Sequence, residues 1–425
     1  MKTTITLILS IAFSAISWGQ EPCVGGRYST NLFPNVTVTS GITFGSNVDV
    51  WGANQTLMLD VYEPTGDTET ARPLIIWVHG GSFIGGTRTD SDMVALSNDF
   101  AEKGYVCASI DYRVGMWPID STNALIALLR SVHDLKAAVR FFYQDRATSD
   151  TYKIDTTKIF IGGSSAGAIT SLHMAYLDKV CEAEEFIAPA TLTSMGGIAG
   201  TSGNPAYSSD VAGVINIAGA LGRYGYIETG DVPVVSLHGN NDGTVPYNRD
   251  IAAVSGFPIM YLDGSRMIHE GATDVGVQSN FYTYYGQDHV PHAGSAQYMD
   301  TTINFIRDFL IDNLGCTDTP LLAPNTPLET ANLYQLYYCD LGLTAEVDMI
   351  NAIYPNPATE EITIEFKESG IHVVKLIDLT GRTIISQEVN TKINSIGLNN
   401  VQSGSYILNV SNESGVLQSS SIIVQ

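Results

Sequence analysis

Short, nearly unbroken apolar runs alternate along the chain with longer stretches in which apolar residues recur every three or four positions. The runs are TLMLDVY at 56–62, PLIIWVHGG at 73–81, YVCASIDYR at 105–113, KIFIGG at 158–163, VAGVINIAG at 211–219 and PVVSLHG at 233–239. The first alternates, as a half-covered strand does. The others predict strands buried on both faces. The clearest helical patterns are NALIALLRSVHDLKAAVRFFYQ at 123–144, with Asn123 as the expected cap, and YMDTTINFIRDFLIDNLG at 298–315, closed by Gly315. Strands alternating with helices predict a mostly parallel sheet covered on both sides.

The pattern changes twice near the end. Residues 316–349 carry Pro320, Pro324 and Pro327 and read as a linker. From 350 to 425 the runs ITIEF, HVVKLID, TIISQEV and SYILNV are short and separated by turns, which predicts a small all-β sandwich domain.

Composition narrows the function classes. The chain has 425 residues, 44% hydrophobic and 15% charged, enough to bury a large core. A net charge of −23 excludes a nucleic-acid partner, because no basic stripe is present to neutralise phosphates. Residues 1–19 read as a signal peptide. Lys2 precedes an apolar stretch from Ile5 to Ile16 that is too short to span a bilayer, and Ser17-Trp18-Gly19 puts cleavage before Gln20. No later run predicts a transmembrane segment, and the residues before Cys23 do not predict a lipid anchor. Cleavage would leave Cys23, Cys107, Cys181, Cys316 and Cys339, an odd number with at least one free thiol. Cys107, inside an apolar run, is expected to be that buried thiol. Cys316 and Cys339 flank the Pro-rich stretch and could pair, although spacing leaves the connectivity open.

Candidate chemistry collects where apolar runs end. Gly163-Ser164-Ser165-Ala166-Gly167 fits G-x-S-x-G between a strand and a helix, with Ser165 at its centre and Ser164 an ordinary turn hydroxyl. A serine there is exposed by the tight turn and faces the positive end of a helix dipole. A nucleophilic serine needs an oxyanion hole, an acid and a base. HGGSFIGG at 79–86 supplies backbone N–H groups from Gly81 and Ser82, joined by that of Ala166; His79 is expected to brace this loop. Asp242 in HGNNDGTVPY lies just past a strand end, where catalytic groups gather in such sheets. The base is His289 in GQDHVPH, favoured over His292 because Gly286 permits a tight loop straight off the strand. His269 falls in a helical segment and is expected to be structural.

Taken in order, HGGSFIGG, GGSSAG, HGNNDGTVPY and GQDHVPH resemble the α/β-hydrolase carboxylesterases and lipases. The resemblance implies a doubly wound catalytic domain over 20–315. It also implies Ser165 as nucleophile, Asp242 as acid, His289 as base, and an oxyanion hole at Gly81, Ser82 and Ala166. IDYR at 110–113 is similar to a structural loop of related esterases. Ser82 stands where many hormone-sensitive-lipase-like relatives have a third glycine, a change a backbone donor tolerates. The expected reaction is ester hydrolysis on small or polymer-linked esters through an acyl-enzyme, with no metal and no organic cofactor. A serine peptidase on the same fold and a non-catalytic cell-surface binding protein are the alternatives. Residues 178–210 are expected to cap the site, with Phe83, Met116 and Trp117 shaping the acyl pocket. In the tail, YPNPA, LIDLTGR and LNNVQSGSYILNV resemble the C-terminal sorting domain of the type IX secretion system. That implies the type IX machinery as partner, export through the periplasm, and a secreted or cell-surface location.

Overall fold

Eight strands form one sheet: β1 (Val36–Val48), β2 (Asn54–Pro64), β3 (Arg72–Val78), β4 (Val106–Ile110), β5 (Ile154–Ser164), β6 (Gly213–Ile217), β7 (Val234–Gly239) and β8 (Ser279–Tyr284). Their spatial order is 1-2-4-3-5-6-7-8. β1 pairs antiparallel with β2, and β2 with β4; every later pairing is parallel. The computed structural model describes residues 23–254, 256–328, 349–378, 382–399, 401–412 and 417–425. The expected signal peptide and Cys339 lie outside them.

Helices cover both faces because successive side chains of a buried strand point to opposite sides. Leu74, Ile76 and Val78 of β3 enter a core shared with α2 (Ser121–Ala147), α3 (Ala166–Tyr176) and α6 (Ser265–Asp274). Ile75 and Trp77 enter the opposite core, with α1 (Ser91–Glu102) and α7 (Ala296–Leu314). Two short helices, α4 (Val180–Glu184) and α5 (Pro189–Ser194), follow α3. The cap of α2 is Asp120 rather than Asn123: its carboxylate accepts the Asn123 N–H at 2.8 Å, so the helix starts earlier than the apolar period suggests. Gly315 ends α7 at φ 77°, as its sequence position predicts. A hairpin of Arg249–Val254 and Phe257–Gly264 forms a separate small sheet with Ala220–Leu221.

The C-terminal strands form two antiparallel sheets, one of three strands and one of four. They enclose a core of their own, with Ile362, Ile364, Phe366, Val374, Leu376, Leu408 and Ile422 at its centre. The start of the Pro-rich stretch is docked on the larger fold. Asp308 accepts the N–H groups of Leu321 and Leu322, and the Asn325 side chain pairs with the Thr283 backbone like an added strand residue.

Cys316 does not pair with Cys339: its disulfide partner is Cys23, which ties the first described residues to the end of α7. Cys107 is the free cysteine among the described residues, and it is buried. Past β4, Arg113 is buried and holds the fully buried Asp134 of α2 through two contacts of its Nε at 3.0 and 2.9 Å, while Nη1 donates to Val48 O at 2.9 Å. Removing Arg113 strands a buried carboxylate. Arg113→Leu should therefore lose about 3–5 kcal/mol in denaturant unfolding, and Arg113→Leu/Asp134→Leu clearly less. Equal losses in the single and double variants would show that the stranded charge is not the cause.

Candidate active site

Parallel register brings four loops to one place. Val78 of β3 stands opposite Gly163 of β5, so the loop after β3 meets the turn after β5. Tyr284 of β8 stands opposite Gly239 of β7, which makes the next two loops neighbours. The turn after β5 has no room for side chains: a Cβ on Gly163 would lie 2.1 Å from Val78 O, and one on Gly167 1.9 Å from the same atom. Between them Ser165 takes φ 54° and ψ −120°, a strained conformation for a residue with a side chain, held by its N–H donating to Ile217 O at 2.9 Å.

His289 Nε2 lies 2.8 Å from Ser165 Oγ, and His289 Nδ1 lies 2.6 Å from Asp242 Oδ2. Asp242 is fully buried as a side chain. Its Oδ1 accepts the N–H groups of Thr244 and Val245 at 2.8 and 2.9 Å. Burial alone would raise its pKa. Hydrogen bonds from His238 and His289, and the charge they can carry, outweigh burial and hold it well below the ordinary carboxylate range. An ionised Asp242 only accepts, so Nδ1 of His289 carries the proton and Nε2 is free to accept from Ser165.

His238 was not singled out by the sequence reading. Its Nε2 stands 3.0 Å from Asp242 Oδ2, and its Nδ1 2.7 Å from Ser265 Oγ. The same Ser265 hydroxyl takes a hydrogen bond from Asn216, whose amide also donates to Ser236. The signal lay in the motif itself: four residues before Asp242, at the last turn of a buried strand, His238 faces the carboxylate.

Two of the expected oxyanion donors, Ser82 and Ala166, line the same cavity as Ser165. Ala166 is the first residue of α3, where a helix leaves N–H groups without an intrahelical acceptor. A Cβ on Gly80 would lie 3.5 Å from Ser165 Cβ, so the loop after β3 packs directly on the serine. In that loop Gly81, Ser82 and Phe83 all have positive φ, and the tight turn uses the Gly81 carbonyl, which accepts from Ile84 and Gly85. His79 sits behind it. Its Nδ1 is 2.7 Å from Gly80 O, its ring stacks on Tyr112 at 4.2 Å, and burial lowers its pKa. Tyr112, from IDYR, also donates to the carbonyls of His79 and Gly80.

Ser164 and His292 belong to a different cluster. Ser164 Oγ donates to Asp92 Oδ2 at 2.7 Å, and His292 Nε2 stands 3.6 Å from the same oxygen. Val290 is left-handed, at φ 43°, so the two imidazoles of this loop diverge, one toward Ser165 and one toward α1. His269 bonds the Ser279 hydroxyl at 2.9 Å, away from the triad residues.

A cavity opens at Ser165. Phe83 and Met116 line it, together with Leu128, Ile169, Phe186 and Ile187. Trp117 does not: it is 66% exposed and points to solvent. Of the expected cap, Ala183, Phe186 and Ile187 cover the cavity, whereas Gly197 and Ser202 are tied to His133 and Asp134 instead. The 249–264 hairpin also lines the cavity, and sequence reasoning missed this although Gly256 between two apolar runs marks a turn. The one grouping of possible metal ligands among the described residues, Cys23, Cys316 and Asp318, contains the disulfide and so offers no thiolate.

A hydrogen-bonded serine, histidine and aspartate stand at the carboxyl ends of the 1-2-4-3-5-6-7-8 sheet, the arrangement of the α/β-hydrolase fold. Residues 59–220 match the BD-FAE family model and residues 352–425 match the secretion system C-terminal sorting domain. Carboxylesterase 1D of Rattus norvegicus is 31% identical over 162 residues, 37% of this chain and 26% of that protein. Esterase LipC of Mycobacterium tuberculosis is 31% identical over 121 residues, 28% of this chain and 26% of that one. The chain thus spans about a quarter of the length of these relatives. Among solved structures, Thermogutta terrifontis esterase 2 phosphorylated by paraoxon aligns over 68% of this chain and 97% of its own, at 19% identity and a TM-score of 0.48.

The sign of the Asp242 shift gives a pH test. A carboxylate with a lowered folded pKa adds stability above its unfolded value of about 3.9 and loses it only as pH falls through the lower folded value. Far-downfield proton spectra should show hydrogen-bonded imidazole N–H signals from His289 and His238. Both should persist at about pH 4, where an ordinary aspartate is half protonated. In Asp242→Ala the His289 signal should vanish, whereas His238 Nε2, also 3.2 Å from Val245 O, keeps an acceptor and its signal should only shift. A His289 signal that persists in that variant would mean Asp242 is not its acceptor.

Proposed function

We propose that this chain is an exported carboxylic ester hydrolase working through an acyl-enzyme. The observation that supports the reading is the unbroken chain Ser165–His289–Asp242, with Ser82 and Ala166 lining the cavity at the same serine; the N–H groups of Gly81, Ser82 and Ala166 are proposed as the oxyanion hole. Ser165 Oγ attacks the ester carbonyl while His289 Nε2 takes its proton. The developing oxyanion turns toward the three backbone N–H groups, which were oriented during folding and need no rearrangement. His289 then protonates the leaving alcohol. Asp242 keeps Nδ1–H in place and stabilises the imidazolium. Water, deprotonated by the same imidazole, releases the acid. Every step is carried by the chain's own residues. The esterase and carboxylesterase names of the partial relatives point the same way.

The C-terminal module is proposed to act in export rather than in catalysis. It matches a sorting domain, it has a separate core, and none of the residues assigned roles above lies in it. The partner is then the type IX machinery, and the hydrolase works outside the cell or on its surface. The catalytic unit is proposed to extend to about residue 328, because Asp308 and Thr283 hold residues 321–326 in place.

Ser165→Ala should lower kcat/KM on a short-chain ester by on the order of 10⁴ or more, with an unchanged circular dichroism spectrum. It should also abolish labelling by a fluorophosphonate probe. Ser164→Ala and His292→Ala should each keep at least about a tenth of the rate, a barrier change near 1.4 kcal/mol. Near-normal turnover by folded Ser165→Ala sinks the assignment. Separately, a chain ending after residue 328 should stay soluble and hydrolyse the same ester at a similar rate; a soluble but inactive product would show that the tail completes the site.

A further inference from the structure

The cavity at Ser165 says which part of an ester enters it. Its space, open mouth and adjoining solvent included, is about 990 Å³, and its lining is almost entirely apolar. Leu125, Leu128 and Leu129 of α2 form one wall, and Val254, Ile259 and Met260 of the hairpin form another. No lining residue carries a charged side chain. His173 is the imidazole in the lining, and both its nitrogens are occupied: Nδ1 lies 2.8 Å from Ile169 O, and Nε2 accepts the Gly222 N–H at 3.0 Å. Burial lowers its pKa to about 4, so at neutral pH it is an uncharged part of the wall. Sugar hydroxyls or a second carboxylate placed here would give up water and gain few partners, a cost apolar groups do not meet.

His289 decides the orientation. In the proposed reaction its Nε2 hands the proton to the leaving alcohol, so the alcohol must stand on the His289 side of Ser165. His289 is absent from the cavity lining, while Ser82, Ala166 and Ser165 belong to it. The acyl arm is therefore the one directed inward. We propose that this cavity is an acyl-chain site selecting an extended aliphatic acyl group over acetyl and over polar acyl groups. The proposal rests on the hydrolase reading and adds its substrate class.

The test is kcat/KM of the full chain on p-nitrophenyl acetate, butanoate, octanoate and dodecanoate, with a parallel series of acetates of lengthening alkyl alcohols. A buried methylene is worth up to about fourfold, so octanoate should exceed acetate by at least about tenfold. Leu128→Trp on α2 and Ala253→Trp on the hairpin narrow the cavity from two elements of its lining, and each should cut the octanoate-to-acetate ratio about tenfold or more. Calorimetry of dodecanoate with Ser165→Ala reads the cavity without the reaction: saturable binding is expected, weakened by Leu128→Trp. Ser165-dependent hydrolysis that is fastest on acetate, a preference following alcohol length alone, unaltered ratios in both folded tryptophan variants, or no dodecanoate binding overturns the acyl-chain site. Absence of any Ser165-dependent hydrolysis together with tight dodecanoate binding overturns the hydrolase reading and leaves the cavity assignment standing.

Discussion

Backbone pressed on backbone at the end of β3 sets the geometry of everything around Ser165. The carbonyl oxygen of Val78 lies so close to Gly163 and Gly167 that neither could carry a single carbon. That contact lets the chain leave β5, reverse and enter α3 within two residues. The reversal is what holds Ser165 at positive φ with its hydroxyl clear of the sheet. It also presses the loop from Gly80 onwards against the serine, so the strained Ser165 and the loop after β3 are fixed by one packing constraint. Strain at a single residue persists because its surroundings over-determine it.

The acid side is built differently. Asp242 is placed by polar satisfaction rather than by close packing. Its four acceptor directions are filled by two backbone N–H groups and two imidazoles. A buried carboxylate is costly unless hydrogen-bonded, and here the bonds more than offset burial. The network continues through His238 and Ser265 to Asn216, tying the loop after β7 to the middle of the sheet. The imidazole of His289 is thus oriented from below by a rigid arrangement while its own loop lies at the surface.

Much of this was legible because parallel strands buried on both faces are written as continuous apolar runs, and the reactive residues follow those runs directly. Ser165, Asp242 and His289 could be named for that reason, and the tail strands for their turn spacing. What escaped lacks that signature. β1 is an edge strand with most side chains exposed, so its Thr- and Ser-rich sequence reads as loop. The hairpin at 249–264 buries only some positions against the cavity, and its apolar pattern is broken. Trp117 was placed at the pocket for its aromatic bulk, but bulk does not fix direction, and it faces water. The pairing of Cys316 with Cys23 joins residues 293 apart in sequence, a distance over which local pattern carries no information.

That pairing bears on what the molecule keeps if its tail is removed. The disulfide and the docking of residues 316–326 close the α/β fold on itself before the sorting module begins. A protease that removes the tail beyond this point would cut no strand of the eight-stranded sheet and break no bond that holds its two ends together. The α/β fold would thus keep its fastening without the tail. In an oxidising medium it would meet heat, detergent or further proteolysis as a domain whose first described residues are already tied to the end of α7.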